Sequence, residues 1–84
     1  MSLPTLPWLA TRLKLRHYSL LIELDRSRSV SRAAERLGLA QPTVTRSLRE
    51  IEDIFMTQLF TRSRRGLEPT SAGLLVLARA RLAL

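Results

Sequence analysis

The chain has 84 residues, no cysteine, a single histidine and 14 basic against 7 acidic residues, a net charge of +7 in which thirteen of the basic side chains are arginine. So short a domain buries only roughly 60% of its unfolded surface. With disulfides and most metal sites excluded by composition, self-association is the leading way to enlarge its core, and no cofactor or metal is expected.

Residues 1–12 read as an N-terminal extension, an arm with two prolines and no periodic pattern, on which Trp8 is free to pack or not. Pro4 and Pro7 break its apolar run and Arg12 and Lys14 follow it, so no signal peptide is expected. A first helix is predicted from about Leu13 to Asp25, because Tyr18, Leu21, Ile22 and Leu24 recur at helical spacing. Arg26-Ser27-Arg28-Ser29 then reads as a turn. A second, short helix runs through Ala33, Ala34 and Leu37, capped by either Ser29 or Ser31 and ended by Gly38.

Gln41-Pro42-Thr43 opens a third helix, with proline where its missing N–H does no harm. Val44, Leu48, Ile51 and Phe55 form its apolar stripe, and Thr45, Arg46 and Arg49 fall on another face. Two such helices joined by a tight turn are the arrangement of a helix-turn-helix. Leu59-Phe60-Thr61-Arg62 and Leu67-Glu68-Pro69 then read as short strands around a tip of Ser63-Arg64-Arg65-Gly66, a hairpin placed as a wing.

Thr70 caps a last helix that is apolar on most faces from Ala72 to Leu84. Arg79 and Arg81 interrupt it, so no run approaches the roughly 20 residues of a membrane span. The preceding residues are too few to cover such a helix, and a second copy is the simplest cover. A homodimer is therefore expected, with Leu74, Leu75, Leu77, Ala78 and Leu82 at its interface. The absence of cysteine fits a reducing compartment, and a cytoplasmic location is expected.

The runs Leu15-Arg16-His17-Tyr18, Ser29 to Leu37, Gln41 to Arg46, Ile51-Glu52-Asp53, Gln58 to Arg62 and Arg65 to Gly73, in this order and spacing, closely resemble the N-terminal domain of LysR-type transcriptional regulators. The resemblance covers almost the whole chain. It implies a mainly α fold, a winged helix-turn-helix of three helices and a hairpin over residues 13–70, followed by a dimerising linker helix over 71–84. It further implies a double-stranded DNA partner in the form of an interrupted near-palindromic operator. In the family a larger effector-binding domain follows the linker. This chain stops at Leu84 in mid-helix without a stop signal, so it is expected to be a fragment of a longer regulator, with no small-molecule ligand of its own.

Two positions depart from the family pattern. Met56 stands where glycine usually ends the third helix, which implies either a longer helix or a remodelled turn, because a side chain in the left-handed region costs about 1 kcal/mol. Glu68 stands where the wing is often basic or neutral, and would trim phosphate affinity.

A helix entering the major groove presents its N-terminal residues to base edges, which makes Gln41, Pro42, Thr43, Thr45 and Arg46 the candidates for base contact. Arg46 suits guanine, Gln41 adenine, and Pro42 or a threonine methyl suits thymine. Arg49, one turn on, suits phosphate. Ser29, Ser31 and Arg32 open the second helix, where free N–H groups and a hydroxyl suit a phosphate. Arg62, Arg64 and Arg65 surround the wing tip, from which an arginine can sense minor-groove width and potential. Nine arginines against four acids lie between Arg26 and Arg65, which places five of the seven net charges in this region.

An enzyme is not expected. There is no glycine-rich phosphate loop, and His17 forms no recognisable constellation with an acid and a serine, so it reads as a surface or edge residue. The remaining rival is a basic amphipathic module for membrane surfaces or protein partners, built on the apolar last helix. The Gln41 to Arg46 block argues against it, since a lipid-binding helix has no use for that block.

Overall fold

The computed structural model describes residues 13–83; the N-terminal extension, Trp8 included, and Leu84 lie outside them. The elements in chain order are α1 (Leu15–Ser27), α2 (Val30–Leu37), α3 (Gln41–Phe55), β1 (Phe60–Ser63), β2 (Gly66–Pro69) and α4 (Ser71–Ala83). α1 packs against α2, α3 and α4, and α2 packs against α3. The strands pair antiparallel with Ser63 opposite Gly66 and Phe60 opposite Pro69. This is the winged helix-turn-helix expected from the sequence.

α1 starts and ends two residues later than the periodicity predicts. Its core face is His17, Leu20, Leu21 and Leu24, with Tyr18 and Ile22 half-buried at the flanks. His17 is thus a buried residue, not the surface or edge residue expected. The Lys14 amide donates to Nδ1 of His17 at 3.0 Å, which satisfies a free N–H at the helix entry. Only an imidazole with an unprotonated Nδ1 can accept that bond. Burial lowers the His17 pKa, and the charge on Arg16 lowers it further.

Ser29, not Ser31, caps α2, its hydroxyl accepting from the Arg32 amide at 3.2 Å. Ala33 and Ala34 are buried, and their small side chains let α2 approach both neighbours. In α3, Val44, Ile51 and Phe55 are buried as the stripe predicts, with Leu48 half-buried beside them. Glu52 adds a contact that no spacing in the sequence suggests. Its Oε2 accepts from the amides of Leu59 and Phe60 at 2.7 and 3.3 Å, tying the end of α3 to the start of the wing.

Thr70 caps α4 as expected: its hydroxyl accepts from the Gly73 amide at 3.0 Å and donates to the Gln58 carbonyl at 2.7 Å. Gly73 sits so close to the Leu59 carbonyl that a Cβ would overlap it. Val76, Leu77 and Ala80 enter the core against α1. Leu77, expected at a partner interface, is instead buried in its own chain at 1% exposure. Covering one face of α4 takes fewer residues than the sequence suggested, because α1 lies along it. Leu74, Leu75, Ala78 and Leu82 remain exposed, within an arc of about 100° on the opposite face.

Met56 resolves the first departure from the family pattern differently from either expectation. α3 ends at Phe55, and Met56 itself takes the left-handed conformation at φ 56°, with its amide bonded to the Asp53 carbonyl. The side chain is 77% exposed, so no packing offsets the strain. Met56→Gly is expected to stabilise the domain by about 1 kcal/mol, a rise of about 4–8 °C in thermal midpoint; a lower midpoint would contradict this. His17 supplies a pH dependence. Its folded pKa lies below the unfolded value of about 6.5, so at lower pH the unfolded chain takes up a proton that the folded chain resists, and stability falls. The urea midpoint is expected to drop between about pH 7.5 and 5.5 in the native chain. The slope should flatten in His17→Gln, and an unchanged slope would refute the assignment.

Candidate nucleic-acid interface

Because Val44, Ile51 and Phe55 point into the core, the opposite side of α3 faces solvent. Gln41, Pro42, Thr45, Arg46 and Arg49 line an open hollow there of about 440 Å³. A second groove of about 260 Å³ runs between the N-terminus of α2 and the wing, with Ser29, Ser31, Gln41, Arg62 and Ser63 in its lining. A third, of about 410 Å³, separates α3 from the wing and includes Thr45, Arg49, Gln58, Thr61 and Arg62. Gln41 belongs to the first and second, Arg62 to the second and third, and Thr45 and Arg49 to the first and third. The three therefore form one continuous concave surface.

Its charge is set by where the acids lie. Among the described residues the ion pairs are Arg28 with Asp25, Arg36 with Glu23 and Arg81 with Asp25, so every paired acid stands on α1. Arg32, Arg46, Arg49, Arg62, Arg64 and Arg65 pair with no acid among those residues. The concave surface thus holds Arg46, Arg49 and Arg62 with no ion-pair partner among those residues, and Glu52, the acid in its lining, is engaged by the Leu59 and Phe60 amides; this is the electrostatic footprint of a phosphate-binding face.

The wing tip is held by its own side chains. The Ser63 hydroxyl accepts from the Arg65 amide at 3.1 Å and donates to the Gly66 carbonyl at 3.3 Å. Neither Arg64 nor Arg65 has positive φ; the hairpin places that conformation on Gly66, at φ 103°. Both arginines are exposed. The Leu67 amide donates to the Arg28 carbonyl at 2.9 Å, which moors the hairpin to the turn between α1 and α2.

The model of the bacterial regulatory helix-turn-helix proteins of the lysR family matches residues 15–74. The chain belongs to that family. It is 46% identical over 69 residues to the small neutral protease regulatory protein of Streptomyces coelicolor, a match covering 82% of this chain and 21% of the relative. It is 40% identical over 74 residues to the HTH-type transcriptional regulator GbpR of Azospirillum brasilense, covering 88% and 22%. The chain thus spans about a fifth of the length of these relatives. Among solved structures, the CbnR DNA-binding domain in its DNA complex superposes with a TM-score of 0.79 at 32% identity, covering 84% of this chain and 82% of that one. A probable transcriptional regulator from Pseudomonas aeruginosa gives 0.82 at 26% identity, covering 92% and 26%.

In this LysR-family chain the predicted site residues separate into groups. Gln41, Pro42, Thr45, Arg46 and Arg49 share one hollow, and Ser29, Ser31 and Arg62 join it through the adjoining grooves. Arg64 and Arg65 project at the wing tip and Arg32 lies exposed on the first turn of α2, none of them lining these hollows. Thr43 is half-buried and lines none of them either. The helical period explains this, since position 43 lies about 100° round the helix from Pro42. Sequence reasoning missed Ser63, Gln58 and Thr61, whose only signal was their place at the ends and outer positions of the hairpin. It also missed Arg28, which lines the second groove with its guanidinium bound to Asp25. No helix among the described residues is long and apolar enough to cross a membrane.

Proposed function

We propose that this chain binds double-stranded DNA sequence-specifically, as the DNA-binding part of a longer transcriptional regulator and not as an enzyme. The outer face of α3 enters the major groove and the wing reaches the neighbouring minor groove. The observation that carries this reading is the continuous concave surface from Gln41 to Arg62, bounded by two helix N-termini and lined by Arg46, Arg49 and Arg62, which pair with no acid among the described residues. Crystals of the similar CbnR domain with DNA support it. Gln41, Pro42, Thr45 and Arg46 reach base edges, while Ser29, Ser31, Arg32 and Arg49 meet phosphates. Arg62, Arg64 and Arg65 follow the minor groove. Thr43, from its half-buried position, contributes at most a methyl at the edge of the contact.

The assembly is a dimer on an interrupted near-palindrome in the cytoplasm. The exposed arc of Leu74, Leu75, Ala78 and Leu82 supports a two-fold contact between α4 helices, with Leu77 excluded. The chain's share of its relatives' length supports an effector-binding domain elsewhere in the full regulator.

Selection of bound duplexes from a random library, followed by titration at several salt concentrations, tests the reading. Arg46→Ala is expected to cost about 1–3 kcal/mol on the selected duplex and to relax preference at one base pair. Arg64→Ala is expected to weaken selected and random duplexes alike and to reduce the salt slope by about 1. Equal losses in both variants on both duplexes would refute the division of roles. Saturable binding to anionic vesicles with no duplex binding at low salt would refute the function.

A further inference from the structure

Arg28 is one of two non-glycine residues with positive φ among the described residues, at 53°. Unlike Met56, it is clamped. Its Nε donates to the Asp25 carbonyl at 2.7 Å and its Nη2 to Asp25 Oδ1 at 3.0 Å. The other carboxylate oxygen of Asp25 accepts from Nη2 of Arg81, on α4, at 2.6 Å. One carboxylate, 15% exposed, is thereby shared between the turn that precedes α2 and the last helix.

What the clamp holds in place matters because of the Arg28 carbonyl. It accepts from the Leu67 amide, and it lies so close to Gly66 that a Cβ there would overlap it. The hairpin therefore rests on a backbone oxygen whose direction depends on a residue in a disfavoured conformation. We propose that Asp25 is a positioning residue for the wing, holding Arg28 so that its carbonyl meets the hairpin, and that Arg81 makes this hold sensitive to where α4 lies. The consequence for DNA rests on the function proposed above; the consequence for the wing does not.

The sign of the effect separates positioning from bulk charge. Asp25→Ala removes an acid and makes the chain one charge more positive, which alone would tighten binding to any duplex. Positioning predicts the reverse, a loss of about threefold or more at fixed salt as the left-handed turn relaxes. Arg28→Gly added to Asp25→Ala restores the protection of the Leu67 amide, because glycine takes the positive φ without a clamp. That double variant also has the net charge of the native chain.

Two measurements decide the proposal. In the first, exchange of the Leu67 amide is compared with that of Ile51 in α3. It should speed up about tenfold in Asp25→Ala, by less in Arg81→Gln, and return toward the native rate when Arg28→Gly is added to Asp25→Ala. An unchanged Leu67 rate in Asp25→Ala overturns the positioning role, and an unchanged rate in Arg81→Gln overturns the link to α4. In the second, titration of a duplex selected by the native chain, tighter binding by Asp25→Ala overturns the effect on the interface. Should the native chain bind no duplex, the functional reading fails while the exchange rates still decide the role of Asp25.

Discussion

The arrangement depends first on the rotation of α3 about its own axis. Val44, Ile51 and Phe55 are buried against α1 and α2, at 0%, 0% and 2% exposure. Turning the helix to hide another face would expose all three, at a cost of about 5 to 9 kcal/mol. That approaches the whole stability of a small domain, about 5–15 kcal/mol. The outward direction of Gln41, Thr45, Arg46 and Arg49 is therefore a by-product of core packing, and no local preference of those polar residues has to enforce it.

The wing depends on the same body in a different way. Phe60 of β1 and Leu67 of β2 put their side chains into the core, and polar bonds add to them: Glu52 to the amides of Leu59 and Phe60, and the Arg28 carbonyl to the Leu67 amide. Such bonds contribute roughly 0.5–3 kcal/mol each, the larger values where the acceptor is charged. The interface thus combines a helix oriented by apolar packing with a hairpin held by both packing and polar bonds. The acids are sorted to match. Glu23 and Asp25 on α1 hold Arg36, Arg28 and Arg81, and the cations of α3 and the wing are left for an external anion.

Most of this architecture was legible in the sequence because it rests on periodicity and on residues with strong positional preferences. The stripe of α3, Gly38 at the end of α2, Pro42 at the start of α3 and Thr70 at the start of α4 all carry their meaning locally. What was not legible followed from tertiary context. A helix apolar on nearly every face gives no phase, so nothing in the sequence of α4 said that Leu77 turns inward while Leu74 and Leu75 turn out. His17 looked like a surface residue because its burial depends on an acceptor role toward Lys14 that no spacing reveals. Arg28 gave no sign of positive φ, since arginine has no preference for that region; its clamp is made by Asp25, and its carbonyl accepts from the Leu67 amide. The role of Glu52 has no local signal, because the amides it accepts from are brought beside it only by the fold.

The face of α3 opposite its core stripe, together with the wing, is the surface proposed to meet DNA. Backbone amide shifts recorded during titration with a selected duplex test this most directly. The largest changes are expected on Gln41, Thr45, Arg46 and Arg49, with a second set at Arg64 and Arg65, while Leu75 and Leu82 on α4 change little. Changes concentrated on α4, with the outer face of α3 unmoved, would contradict it.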